Sequence, residues 1–282
     1  MIATQNPVVL LRDYSIEMTA RDIDEVPEAA SHLPAKTRVN VTFLATESLE
    51  QRVAGAKAVL DAGLTPVPHI AARRLKGQSE LRKSLRVLQD AGASKQLFVV
   101  GGDPAVPEGP YASSFEVIES GILPEYGVEH VGIGGYPEGH PDISQDVLWE
   151  ELEKKTRALA AQGLEANILT QFGFDEAPIL DWIAEVRKRG ITAKIRIGVP
   201  GPAGVKRLLG FARRFGISSS AGIVKKYGFS LTNLMGTAGP DRLLETLAEH
   251  LDPEVHGDVG IHFYTFGGVA ATSKWAEDYL AN

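Results

Sequence analysis

Residues that could do acid–base or ring-stacking chemistry follow short apolar runs along this sequence. The segment "GGYPEGHP" (134–141) sets Tyr136 and His140 among glycines and prolines directly after the run "EHVGI". Glu17 interrupts "YSIEM", Asp103 follows "QLFVVGG", and Gln171 follows "ANILT". Carboxylates and imidazoles move protons, and a neutral amide both donates and accepts hydrogen bonds. These segments are either ordinary loops or the rim of an active site.

Further polar residues and glycines also lie near the end of an apolar run. They are Thr42, His69, Gly102, Gly134, Gly135 and Tyr264. Each has a structural alternative. Glu17 could pair with an arginine, and His69 could be a hydrogen-bonded core histidine. Asp103 could form a turn before Pro104, and the Gly134–Gly135 pair could allow close packing of a strand on a helix.

The elements that must position these residues are eight β-branched runs separated by amphipathic helical segments such as 47–62, 144–162 and 177–189. The runs are 14–18, 38–45, 65–71, 96–102, 129–135, 166–172, 193–201 and 258–266. Strand–helix alternation predicts a parallel sheet covered by helices. Eight units in about 250 residues favour an α/β fold of the closed (β/α)₈ barrel type over a doubly wound open sheet.

The barrel prediction gives the polar residues one location, since barrel active sites lie at the carboxyl ends of the strands. No linker divides the chain, so we expect one catalytic domain over residues 1–282. The interval 202–257 is longer than one helix requires. It predicts an extra helical insertion before the eighth strand, followed by a helix with Pro240 in its first turn.

Composition excludes several classes of protein. The net charge of −7 gives no reason to expect nucleic acid or an anionic membrane as partner. The absence of cysteine excludes disulfides and thiolate chemistry, and no run is apolar enough to cross a bilayer. We therefore expect a soluble, cytoplasmic protein.

Generic motifs leave the reaction open. The sequence has no P-loop, no complete dinucleotide fingerprint, no H-E-x-x-H pair and no G-x-S-x-G elbow. A metal-dependent hydrolase using His69, Glu138 and His140 is the lowest-ranked alternative, and we expect no metal site.

Taken in order, the strand-end segments resemble the flavin-dependent methylenetetrahydrofolate reductases, which are (β/α)₈ barrels. The resemblance spans residues 14–266, and "GYPEGHP" and "TQFGFD" are its most specific parts. The matching segments are "SIEMT", "VTFLA", "PHIAARR", "VVGGDP" followed by "PYAS", "GGYPEGHP", "TQFGFD" and "GIHFYTF".

The resemblance implies FAD at the barrel mouth and a ping-pong transfer of hydride from NADH or NADPH through the flavin. The acceptor would be 5,10-methylenetetrahydrofolate and the product 5-methyltetrahydrofolate, which belongs to one-carbon metabolism and methionine biosynthesis. The alternative is a folate-binding barrel of a methyl-transfer or non-reductase type, which would keep the pterin contacts without a flavin.

The resemblance also implies residue roles. Glu17 resembles the general acid that assists opening of the folate imidazolidine ring, and Asp103 resembles the aspartate beside the flavin pyrimidine. Gln171 and Tyr264 match substrate-binding positions, and Lys155 is expected near the FAD pyrophosphate. The other cofactor-contacting matches are Thr42, His69, Gly102, Tyr111, Ala112, Gly134, Gly135, Tyr136 and His140.

Two departures from the family pattern remove expected contacts. Gly101 stands where many relatives have an arginine, and Gly267–Gly268 stands where many have an asparagine–arginine pair. The choice between NADH and NADPH has no sequence signal here. The oligomeric state is also open, with a homo-oligomer among the alternatives.

Overall fold

The eight predicted strands form a closed parallel barrel in a computed structural model that describes residues 7–214 and 237–281. Each strand pairs with its neighbours in the chain, and β1 closes the ring against β8. The doubly wound alternative is therefore wrong. The strands are β1 (Ser15–Met18), β2 (Arg38–Val41), β3 (Thr65–Ala71), β4 (Gln96–Val100), β5 (His130–Gly135), β6 (Glu165–Thr170), β7 (Lys194–Pro200) and β8 (Val259–Tyr264).

Helices cover the outside of the barrel and begin where polar residues cap them. Ser48 accepts from the backbone N–H of Gln51 in a capping box, and Asp175 caps the helix between β6 and β7. The three predicted helical segments are confirmed. The helices are α1 (Pro7–Leu10), α2 (Val26–His32), α3 (Leu49–Asp61), α4 (Gln78–Asp90), α5 (Ser114–Glu119), α6 (Gln145–Ala161), α7 (Glu176–Lys188), α8 (Val205–Arg214), α9 (Asp241–His250), α10 (Pro253–His256) and α11 (Val269–Ala281).

The interval before β8 holds more than one element, as its length predicts. The two-residue strand Ala203–Gly204 directly precedes α8 and pairs antiparallel with Thr237–Ala238, from which the chain enters α9. Pro240 is the N-cap of α9 rather than a first-turn residue, a shift of one position. The predicted middle of the insertion, residues 217–236, lies outside the described residues.

Side chains alternate along each strand between the helices and the barrel interior, as a period of two requires. The outward set, including Ile16, Val39 and Ile261, belongs to the apolar core under the helices. The inward set is polar in part: Ser15, Asn40, Arg196 and His262 are all buried. The inside of this barrel therefore combines buried polar side chains with a small apolar cluster of Val67, Phe98 and Leu169, and a larger apolar core surrounds it.

Charged side chains hold the amino-terminal end of the barrel together. Asp13 lies 2.6 Å from Arg38, 3.0 Å from Lys194 and 2.8 Å from the buried Arg196. Burial acts to raise the pKa of Asp13, but Arg196, Lys194 and Arg38 together hold that pKa well below its usual range.

Among the helices of residues 7–214 and 237–281, none is long and apolar enough to span a bilayer.

Candidate active site at the mouth of the barrel

Glu17 lies on β1 with its carboxyl group at the carboxyl-terminal mouth of the barrel. Its Oε2 is 3.4 Å from the Thr42 hydroxyl, which donates to it, and 3.9 Å from Nε2 of His262. The Thr265 hydroxyl donates to the Glu17 backbone carbonyl at 2.9 Å and so fixes the end of β1. The side chain is 17% exposed, so the carboxyl group remains within reach of a ligand.

His69, on β3, has the environment of a hydrogen-bonded interior histidine. Its Nε2 lies 3.3 Å from Nδ2 of Asn40, and its ring lies 4.7 Å from that of Phe98. Burial, and then the nearby His262 ring, lower the pKa of His69 to about 3, so the imidazole is neutral at physiological pH. A neutral ring can contact an uncharged ligand without introducing a positive charge.

Gln171 and Tyr264 approach the mouth from β6 and β8. The Gln171 side-chain oxygen accepts from the backbone N–H of Phe172 at 3.1 Å, which turns the amide back over its own strand end. The Tyr264 hydroxyl donates to the Thr170 carbonyl at 3.0 Å. Burial, followed by the negative charge of Glu17, raises the pKa of Tyr264 well above its ordinary value, so the phenol stays protonated.

The two glycines that end β5 face in different directions. A Cβ on Gly134 would lie 3.2–3.5 Å from the Tyr136 ring, which therefore folds over the strand end. A Cβ on Gly135 would lie 2.5 Å from Trp182 of α7, so this glycine allows the strand to pack on a helix. The packing alternative thus describes Gly135, whose carbonyl is also taken by Gln171 N–H at 2.7 Å. The space beside Gly134 is taken by the Tyr136 ring.

Tyr136 and His140 form one unit in the loop after β5. Their rings meet edge to face with centroids 5.5 Å apart. His140 is also held by the loop, because its Nδ1 accepts from the backbone N–H of Asp142 at 3.1 Å. Burial raises the pKa of the Tyr136 phenol.

Asp103, after β4, is held by an arginine that the sequence interpretation did not single out. Arg74 donates to both Asp103 carboxylate oxygens at 2.8 Å, and it also reaches Glu108 at 3.2 Å. Hydrogen bonding from Arg74 lowers the pKa of Asp103, whose side chain is 71% exposed. The carboxylate expected beside the flavin pyrimidine is therefore paired with an arginine.

A second arginine, Arg73, organises the loop from β4 to α5. Its guanidinium donates to the carbonyls of Pro104, Ala105 and Ala112, and its backbone N–H donates to Gly101. The carbonyl of Ala112 is thus already occupied, and the neighbouring Tyr111 is buried. This loop is fixed to the end of β3 through one side chain.

Lys155 lies in the third turn of α6, about 15 Å along the helix from its first residue. Its ammonium group is 3.3 Å from Glu151, and burial lowers its pKa. The structure therefore pairs Lys155 within its own helix rather than at the strand ends.

Several residues at the mouth or in the barrel interior below it were missed by the sequence interpretation: Ser15, Asn40, Arg74, Phe172 and Phe266. Phe172, Tyr264 and Phe266 contact one another with ring centroids 4.9–5.7 Å apart and form an aromatic wall beside Gln171. The signal for Ser15 was available, because strand alternation puts it on the same face of β1 as Glu17. Arg74 carries no such periodic signal.

The metal-hydrolase alternative has no ligand set in the described part of the chain. Within residues 7–214 and 237–281, no three His, Asp or Glu side chains come close enough together to hold an ion. The mouth instead combines the carboxyl groups of Glu17 and Asp103, the neutral imidazole of His69 and aromatic faces. Such a site can protonate and stack against a flat heteroaromatic ligand.

A family model described as methylenetetrahydrofolate reductase matches residues 20–275, nearly the whole chain. The chain belongs to the methylenetetrahydrofolate reductase family. Members of this family are oxidoreductases that act on methylenetetrahydrofolate, a folate substrate. The matched span includes Asp103 and Gln171 and begins three residues after Glu17.

Solved structures share the fold at low sequence identity. Dihydropteroate synthase from Thermus thermophilus in complex with 6HMPPP is 15% identical with a TM-score of 0.51, covering 97% of this chain and 92% of that one. N-acetylneuraminate lyase from Fusobacterium nucleatum, complexed with pyruvate, is 11% identical with a TM-score of 0.48, over 99% and 76% of the two chains. The first likeness agrees with the barrel topology and bears on the fold alone.

Gly135 and Gly101 have different surroundings in this reductase-family barrel, so alanine should affect stability differently at the two positions. Gly135→Ala should lower the free energy of unfolding by about 1–3 kcal/mol, because the new methyl group overlaps Trp182 and Ile168. Gly101→Ala should leave stability within about 0.5 kcal/mol, because a Cβ there meets no atom within 4 Å. Urea unfolding of both variants measures the difference in the free energy of unfolding. Equal destabilisation would contradict the close packing at Gly135 and the open space at Gly101.

Proposed function

We propose that this chain reduces 5,10-methylenetetrahydrofolate to 5-methyltetrahydrofolate, with NADH or NADPH as the electron donor and FAD as the bound carrier. The observation that supports it most is the position of Glu17 beside Thr42, His262 and Tyr264 at the mouth of a barrel of this family. Methylenetetrahydrofolate reduction requires a proton donor beside a flat pterin, and these residues supply the donor and its surroundings.

The residues around β4 and β5 suit the flavin ring of FAD. Gly101 leaves open space beside the backbone, and Gly102 adopts a φ of 97°, a conformation that favours glycine. Together they leave a strand end without side chains against which a flat ring can lie. Tyr136 offers an aromatic face, and the Arg74–Asp103 pair offers a donor and an acceptor to a ring edge.

When bound, FAD would supply hydride transfer between the nicotinamide and the folate. In the proposal, Gly102, Asp103 and Tyr136 hold the ring, and Lys155 is kept as the candidate for the pyrophosphate. The remaining candidate contacts are those of Thr42, His69, Tyr111, Ala112, Gly134 and His140.

The chain's own chemistry in this reaction centres on Glu17. It would donate a proton to the folate ring nitrogen whose bond to the methylene carbon breaks, which makes that carbon electrophilic. Gln171 would orient the pterin through its amide, as a neutral donor and acceptor. The aromatic wall of Phe172, Tyr264 and Phe266 would exclude water from one side of the folate.

The proposed function is tested by the absorbance spectrum of the purified protein, recorded before and after addition of FAD. We expect a yellow chromophore that is bleached by NADH or NADPH without oxygen and restored by methylenetetrahydrofolate. If FAD neither binds nor supports NAD(P)H oxidation, the flavoenzyme proposal fails. Tetrahydrofolate binding without NAD(P)H consumption would instead support the folate-binding alternative, which does not need Asp103 beside a flavin.

The Arg74–Asp103 ion pair predicts a shared effect on both half-reactions. Asp103→Asn should change the rates of NAD(P)H oxidation and of folate reduction together, each by about 10-fold, because the negative charge beside the ring acts on both. Rapid-mixing measurements of the separate half-reactions provide the test. Glu108→Gln, which removes the second partner of Arg74, is the matched control and should change neither. An effect of Asp103→Asn on one half alone would contradict a position beside the shared ring.

The proposal includes two further predictions from the sequence. We infer that residues 1–282 act as one catalytic domain, which the ring of eight consecutive strands supports. We also propose that the protein works in a reducing compartment such as the cytoplasm, with which a chain without cysteine is compatible.

A further inference from the structure

Behind Glu17, on the inner side of the barrel, lies a histidine with one ring nitrogen left without a hydrogen bond. His262 on β8 is fully buried, and its Nδ1 is 2.8 Å from the hydroxyl of Ser15. Among the described residues, none is within hydrogen-bond distance of its Nε2. The Glu17 Oε2 atom lies 3.9 Å from that nitrogen. A buried polar atom without a hydrogen bond costs about 1–3 kcal/mol. A movement of under about 1 Å that brings His262 Nε2 and Glu17 Oε2 within hydrogen-bond distance is therefore favourable.

The Glu17 carboxylate, rather than the Ser15 hydroxyl, decides which nitrogen carries the hydrogen. A hydroxyl can donate or accept, whereas a carboxylate can only accept. Nε2 therefore attracts Glu17 only if it carries the hydrogen, and Nδ1 must then accept from the Ser15 hydroxyl. Ser15 and His262 are 247 residues apart in sequence and meet because β1 closes the barrel against β8.

The groups around His262 favour one hydrogen on the ring rather than two. Burial lowers the pKa of His262, and Arg196 on β7 adds repulsion, while Glu17 on β1 acts in the opposite direction. His69 on β3 is neutral, and the Tyr264 ring meets the His262 ring edge to face at 5.1 Å. A neutral ring with its hydrogen on Nε2 fits these surroundings.

Both side-chain donors near Glu17 approach the same carboxyl oxygen. The Thr42 hydroxyl and His262 Nε2 each face Oε2. In a carboxylic acid, the oxygen that accepts hydrogen bonds is the carbonyl oxygen, and the other oxygen carries the proton. Two donors at Oε2 therefore place the acid proton on Oε1.

We propose that Ser15 and His262 are positioning residues that select Oε1 of Glu17 as the atom that carries the transferable proton. The inference rests on the proposed function in that Glu17 is the proton donor to the folate. Neither residue would touch the substrate: Glu17 selects the tautomer with hydrogen on Nε2, the Ser15 hydroxyl donates to Nδ1 and retains that tautomer, and the imidazole fixes the orientation of the carboxyl group. No proton leaves the pair, because the ring stays neutral throughout.

The tautomer itself is measurable without substrate or cofactor. Nitrogen-15 NMR of histidine-labelled protein distinguishes a ring protonated at Nε2 from one protonated at Nδ1. The His262 signal is the one that disappears in His262→Gln. We expect the Nε2-protonated form in the wild type and a shift toward the Nδ1-protonated form in Ser15→Ala, which frees Nδ1. An Nδ1-protonated ring in the wild type would overturn the proposal, whatever reaction the protein catalyses.

Kinetics then test whether the pair acts through Glu17. Ser15→Ala should lower the kcat of folate reduction about 10-fold with little change in KM, and His262→Leu should lower it about 100-fold. His262→Gln should recover most of the loss, since its amide nitrogen can replace Nε2–H as donor. The pH profile of kcat should change in Ser15→Ala, while NAD(P)H oxidation with an artificial acceptor should not.

Ser94→Ala is the matched control, because Ser94 is an equally buried serine whose hydroxyl donates to the Tyr126 carbonyl away from the mouth. Equal kinetic losses in Ser94→Ala and Ser15→Ala would mean that only packing is disturbed and would refute the positioning role. If the wild type reduces no folate, the proposed function fails, while the tautomer measurement still tests the Ser15–His262 geometry.

Discussion

Replacement of Glu17 by glutamine will lower the rate of methylenetetrahydrofolate reduction by about 10²–10⁴-fold, the range that a general acid supplies. The amide keeps the size of the side chain and an oxygen that accepts from Thr42, so the mouth should retain its shape. It has no acidic proton to give to the folate nitrogen. Oxidation of NAD(P)H with an artificial acceptor should stay within about 3-fold of the wild type, because that half-reaction needs no such proton.

The measurement is the comparison of the two half-reactions in one preparation of Glu17→Gln. Glu28→Gln, which changes an exposed carboxylate on α2, is the control and should affect neither rate. Equal losses in both half-reactions of Glu17→Gln would contradict the general-acid assignment and would indicate that Glu17 supports binding or folding instead.

Removal of Asp13 will have the largest effect on stability that we expect from a side chain outside the mouth. Asp13→Ala leaves the buried Arg196 guanidinium without its carboxylate and deprives Arg38 and Lys194 of theirs. Breaking a fully buried pair costs about 3–5 kcal/mol. Since the Asp13 side chain is 46% exposed, we expect a loss of about 2–3 kcal/mol in the free energy of unfolding, measured by urea denaturation.

The same carboxylate gives the stability a pH dependence of known sign. The folded-state pKa of Asp13 is depressed, so its contribution is fully present above the unfolded value of about 3.9 and is lost as the pH falls below it. Between pH 5 and pH 3, the wild type should therefore lose more stability than Asp13→Ala. Asp61→Asn, which breaks the exposed pair with Lys57, should change stability by less than about 0.5 kcal/mol. Parallel pH profiles for wild type and Asp13→Ala would contradict the assignment.

The barrel could be predicted from the sequence because strand and helix periods are local properties. All eight predicted runs became strands, with the largest difference at β2, which ends at Val41 although the run continues to residue 45. Thr42 still follows the strand, and its backbone N–H donates to Met18 at 2.8 Å. Because parallel strands end on one side, the location of Glu17 and Thr42 at the mouth followed from the same pattern.

Contacts between long side chains could not be predicted in this way. The Arg74–Asp103 pair joins residues 29 positions apart through a flexible side chain, whose direction no periodicity fixes. The Ser15–His262 contact depends on closure of the ring between β1 and β8. Likewise, only the position of α7 shows that Gly135 faces Trp182 rather than the mouth. These features depend on tertiary distances, which the spacing of residues along the chain does not contain.

The three carbonyl contacts of Arg73 have a consequence for the thermodynamics of ligand binding. Ordering a free residue costs about 1–2 kcal/mol of conformational entropy, and a loose loop would take that cost from the binding free energy. Here the segment from Pro104 to Ala112 is already restrained by hydrogen bonds to one guanidinium. The entropic cost of ordering this segment is therefore met when the chain folds, and an incoming ligand contacts a preorganised surface.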